Sequence, residues 1–152
     1  MRHTLAFTLA ILLTLPILSR AADIAVTNIG PLGFGSFAAG SGGSVTVSTS
    51  GMCSAGGSVI VILSNCSAAE FTVTGDPNFT YLIELPANDF VTLSGPGSDM
   101  TITNFVSNPA GASGLLGAGG AQNLSVGGTL NVGSNQSPGS YSGSFSVIVN
   151  YN

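Results

Sequence analysis

Runs of β-branched and aromatic residues, each only a few positions long, recur from residue 23 to the end of this chain, and each closes on Gly, Pro, Asn or Asp. Segments that short bury an apolar face as strands, and turn residues at such close intervals are the cadence of a sandwich or barrel. DIAVTNI (23–29), LGFGSF (32–37) and SVTVSTS (44–50) come first. SVIVILS (58–64) is continuously apolar, which predicts a central strand buried on both faces. EFTVTG (70–75) turns Phe71 and Val73 inward, and TYLIELP (80–86) places Tyr81, Ile83 and Leu85 on one face. FVTL (90–93) and DMTITNF (99–105) alternate again, whereas residues 107–123 are expected to form a loop or ragged edge. In LSVGGTLNVG (124–133) the two central glycines predict a strand pair or one bulged strand. After the turn SNQSPG (134–139), a closing strand runs from Ser140 to the end, with Tyr141, Phe145, Val147, Val149 and Tyr151 on one parity. The expectation is an all-β sandwich of about nine strands with no helix.

The chain opens on a short basic start (Arg2, His3), an apolar run from Leu5 to Leu18 and the small-residue site Ser19-Arg20-Ala21. Residues 1–21 read as a secretory signal peptide, with Ala22 as the first mature residue. No later segment is long enough to span a membrane. Arg2, His3 and Arg20 are the only basic residues of the chain, so nothing basic follows residue 21. Six acids remain: Asp23, Glu70, Asp76, Glu84, Asp89 and Asp99. Such a surface has nothing with which to neutralise phosphate, which argues against nucleic acid and anionic membranes as partners.

The same residue set bears on chemistry. Serine and threonine are plentiful, but no His or Lys is left to activate them as nucleophiles. The acids fall at strand positions and turns, and no tryptophan offers a platform for a sugar. The glycine cluster GASGLLGAGG carries no lysine and none of the spacing of a phosphate loop. Calcium is the one metal these donors would suit, and no EF-hand spacing is present. The expectation is therefore no enzyme, no cofactor and no metal. Cys53 and Cys66, in an exported chain and outside any C-x-x-C spacing, are expected to form one structural disulfide. Closing that loop stabilises a fold by about 3 kcal/mol in the chain-entropy treatment.

The closing stretch PGSYSGSFSVIVNYN (138–152) resembles the C-terminal signature of chaperone–usher pilins: a glycine fourteenth from the end (Gly139), a penultimate tyrosine (Tyr151) and alternating apolar residues between. Across residues 24–152 the chain is similar to a secreted bacterial family, domain of unknown function 4402. The motifs that carry this are PLGFGSFAAGSGGSVTVS, AAEFTVTGDPNFTYLIELP, MTITNF, LSVGGTLNVGSNQSPG and YSGSFSVIVNYN. The resemblance implies an immunoglobulin-like, pilin-type sandwich over residues 32–152 that lacks its own last strand. It implies export to the periplasm, a chaperone covering the groove beside Gly139, Tyr141, Phe145, Val147, Val149 and Tyr151, and a basic cleft of that chaperone holding the carboxylate of Asn152. At an usher, the N-terminal segment of the next subunit would replace the chaperone strand, building a surface fibre.

Residues 22–31 are short for such a donor segment. Ile24 and Val26 can serve as its plugs, or the segment can be this domain's own first strand. Two functions follow. One is a subunit of a bacterial surface fibre, assembled by donor-strand complementation and connected with adhesion. The other is a stand-alone secreted sandwich that binds glycan or protein through its loops.

Overall fold

The computed structural model describes residues 22–152; the signal peptide expected over 1–21 lies outside the described residues. The described chain is an all-β sandwich of twelve strands whose ladders are antiparallel throughout. Its spine is β11 (Ala121–Val132). On one edge of β11 lie β6 (Ala69–Thr74) and then, end to end with it, β3 (Gly43–Val47); on the other edge lies β9 (Met100–Asn108). β1 (Ala25–Gly30) pairs with β6, β4 (Cys53–Gly57) with β3, and β8 (Val91–Leu93) with β9. A second sheet runs in the order β10 (Ser113–Leu115), β7 (Thr80–Glu84) and β12 (Ile148–Tyr151). The remaining two strands, β2 (Gly33–Ala38) and β5 (Ile60–Ser67), pair only with each other.

The alternation noted in the sequence builds the core. Phe71 and Val73 of β6, Tyr81 and Ile83 of β7, and Leu124 and Val126 of β11 form one buried cluster with Leu116, Val147 and Val149. Val45, Val47, Val91, Met100, Ile102, Leu130 and Val132 form a second with Phe34 and Val59. Leu32, Phe105 and Phe145 pack against both clusters and join them. Phe105 reaches the core because β9 bulges against β11 between Gly127 and Thr129, with Asn104 at φ 50°. The extra residue reverses the parity of the strand, so Ile102 and Phe105 both face inward. Opposite, a Cβ on Gly127 would stand 2.3 Å from the Val47 carbonyl oxygen, which is why the strand carries glycine where it crosses β3.

Two expectations are corrected and one choice is decided. The described residues form twelve strands and not about nine: residues 53–57 add β4, and residues 107–123 contribute the end of β9, all of β10 and the start of β11. The glycine pair of 124–133 yields one continuous bulged strand, the second of the two forms expected. The stretch 58–64 is not a central strand: in β5, Ile60, Ile62 and Leu63 remain 67%, 65% and 59% exposed. β5 pairs with β2 alone among the described residues, and no second layer covers its outer face. The disulfide between Cys53 and Cys66 ties its far end to β4, as expected.

Candidate functional site: an uncharged groove between two open edges

The closing stretch divides into two unlike halves. Ile148–Tyr151 is β12, a full ladder on β7. Residues 139–147 make one bridge only, in which the Ser94 N–H donates to the Ser142 carbonyl (2.9 Å) and the Ser142 N–H to that of Ser94 (3.0 Å). Its start is pinned by Tyr141, whose hydroxyl donates to the Ser137 carbonyl at 2.8 Å and accepts from the Gly97 N–H at 2.8 Å. Gly139, at φ 146°, passes Pro96 where a Cβ would meet the ring at 2.5 Å. At Gly143 a Cβ would fall 2.2 Å from the Thr92 carbonyl oxygen. Glycine at both positions lets the backbone lie against its neighbours without forming a regular ladder.

Facing this segment is the edge of β2 turned away from β5. Between residues 31–39 on one side and 136–143 on the other runs a groove of about 830 Å³. Phe34, Leu93, Met100, Leu130 and Tyr141 line it, so side chains of the second core cluster reach its surface. A narrower cavity of about 230 Å³ continues past Leu32 and Phe145 over Phe71, Val91 and Ile102. No ionisable side chain other than the tyrosine hydroxyl lines either space.

Of the residues singled out in the sequence, Gly139 and Tyr141 line the groove and Phe145 lines its continuation. Val147 and Val149 are buried in the first core cluster. Tyr151 lies at the opposite end, its ring against Phe79 at 5.7 Å and its hydroxyl donating to the Ala22 carbonyl at 3.1 Å. Asn152 turns its Nδ2 to Thr80 Oγ1 at 3.1 Å. Ile24 and Val26 are half-buried against the first cluster, and residues 25–30 form β1 on β6, so the segment is a strand of this domain. The second rim, 31–39, and the lining residues Leu93, Met100 and Leu130 were not anticipated. LGFGSF marks a strand, but nothing local in it says which of its edges stays open.

The polar groups of the molecule are placed structurally. Among the described residues no three of Asp, Glu, Cys and His gather as a metal ion would require. Thr101 Oγ1 donates to Asp89 at 2.7 Å and Ser125 Oγ to Glu70 at 2.9 Å, both away from the groove. Tyr81, fully buried, donates to Gln122 Oε1 at 2.7 Å, and desolvation pushes its hydroxyl above the ordinary tyrosine value of 10.0. What the groove can do is receive extended backbone. The edge of β2 away from β5 and, Ser142 apart, the 139–147 segment belong to no ladder, and the apolar side chains of the lining can accept alternate side chains.

A family model described as Domain of unknown function (DUF4402) matches residues 24–151. The chain belongs to the DUF4402 family. No curated protein and no solved structure matches it. The matched span takes in every strand from β1 to β12, so both rims of the groove are part of the DUF4402 domain, as is the pairing of β1 with β6. Within that domain the two cysteines are joined, and no free thiol is present among the described residues.

Proposed function

We propose that this DUF4402 domain is an exported structural subunit of a bacterial surface fibre, connected with adhesion, which is held in place by a β-strand inserted from another chain. The observation that supports this reading is the uncharged groove, lined in part by apolar side chains, between the free edge of β2 and the barely bonded segment 139–147. An extended strand laid there gains ladder hydrogen bonds on both sides and seats alternate apolar side chains over Phe34, Leu93, Met100 and Leu130. It also joins the β2–β5 ribbon to the stretch leading into β12, completing an immunoglobulin-like, pilin-type sandwich. A periplasmic chaperone would fill the groove in transit and a neighbouring subunit after passage through the usher. The incorporation of residues 25–30 into β1 favours a second reading, a stand-alone secreted sandwich that binds glycan or protein through its loops.

Amide hydrogen exchange on the chain 22–152, with a peptide of alternating valine and threonine in excess, separates the two. The fibre reading expects new protection confined to residues 33–38 and 140–147, and an unfolding free energy that rises with peptide concentration as mass action requires. Unchanged exchange at both rims would leave the stand-alone domain.

A further inference from the structure

The penultimate tyrosine closes a ring of hydrogen bonds with the other end of the described chain. The Asp76 N–H donates to the Tyr151 hydroxyl (2.5 Å), which donates to the Ala22 carbonyl (3.1 Å). The Ala22 nitrogen in turn donates to Asp76 Oδ1 (3.0 Å). The ring is built for this position. Phe79 holds the Tyr151 ring edge-on, and at Gly75 a Cβ would strike the Tyr151 hydroxyl at 2.2 Å, so only glycine fits there. Ala22 is also the residue that follows the small-residue site Ser19-Arg20-Ala21.

The geometry points to Asp76 and Tyr151 as a receptor for the amino terminus that signal-peptide cleavage creates. Hydrolysis adds one water across the Ala21–Ala22 peptide bond. The hydroxyl goes to the Ala21 carbonyl, which departs as a carboxylate, and the proton it releases makes the Ala22 amine an ammonium. What was an amide hydrogen bond to Asp76 becomes an ion pair. Residues 22–152 contain no Lys, Arg or His, so this ammonium is the only cation the mature chain possesses. Its capture anchors the start of β1 beside the end of β12 and holds residues 22–30 in their own sheet. Processing thus completes the fold at the point where both termini meet. The inference rests on export and cleavage and is independent of whether the groove takes a strand.

The absence of lysine provides a clean measurement, because an amine-directed acylating reagent has one target on the mature chain. The whole precursor is expressed in a secreting host, and intact mass and amino-terminal sequencing identify the first residue. Ala22 is expected, and any other start overturns the inference. Acylation is then timed at neutral pH. The ionisable groups near the amine are Asp76, the Tyr151 phenol and, next in the chain, Asp23. A partner carboxylate favours the protonated, unreactive amine, and one pKa unit is a tenfold change in the reactive fraction, so Asp76→Asn should react about three- to tenfold faster than the natural chain. Asparagine keeps the hydrogen-bonding oxygen and removes only the charge, and circular dichroism confirms that the variant is folded. Glu84→Gln removes an exposed acid from β7 and should stay within about twofold of the natural rate. Equal rates for Asp76→Asn and the natural chain, or equal acceleration by Glu84→Gln, would overturn the assignment. Neither result bears on peptide protection at residues 33–38.

Discussion

Tyr81 shows how one side chain links packing to pH. It is fully buried between β6, β7 and β11 in the first core cluster, and its hydroxyl is satisfied by Gln122. Burial raises the folded pKa above the ordinary 10.0, so the folded state holds its proton where the unfolded chain gives it up. The stabilisation is complete below the unfolded value and is lost as pH rises above it, at up to about 1.4 kcal/mol per pH unit. Urea midpoints should therefore fall from about pH 10 upward. Tyr81→Phe should cost about 1 kcal/mol at neutral pH and flatten that alkaline fall. The cost stays small because Gln122 Oε1 still accepts from the Leu115 N–H at 3.0 Å.

Among the elements, β3 and β5 make an instructive pair. Both carry β-branched residues in runs that read as strand, and both are strands. Val45 of β3, paired beside β11, is fully buried in the second core cluster, whereas Ile60 of β5 stands on an outer face. Val45→Ala should cost about 2–3 kcal/mol in urea unfolding, the lost transfer free energy plus an unfilled cavity. Ile60→Thr should change stability by no more than about 0.5 kcal/mol. Equal costs would mean that β5 is covered in solution. The apolar run of 58–64 was legible as a strand and not as an exposed one, because periodicity reports which residues prefer burial and not whether a layer exists to bury them.

For the whole molecule, charge is one-sided. Residues 22–152 carry six acids and no basic side chain, so apart from the amino terminus the domain has no ion pair for salt to break. Salt screens the mutual repulsion of the carboxylates instead. Raising sodium chloride from about 20 mM to about 1 M should hold or raise the melting temperature, where a fold braced by surface ion pairs would lose stability. A falling melting temperature would contradict this.

The sequence alone determined the class of fold, the disulfide and most inward-facing residues, since each follows from local pattern: period two within a strand, turn residues between strands, two cysteines outside any C-x-x-C spacing. It also marked Gly139, Tyr141 and Phe145, which line the groove and its continuation. Only the tertiary structure decided that Val147 and Val149 belong to the sealed core, that residues 25–30 pair with β6, and that the open edge across from 139–147 belongs to β2. Those facts depend on which distant segments become neighbours. A strand's own residues set its two faces, but its two edges are set by whatever comes to lie beside it.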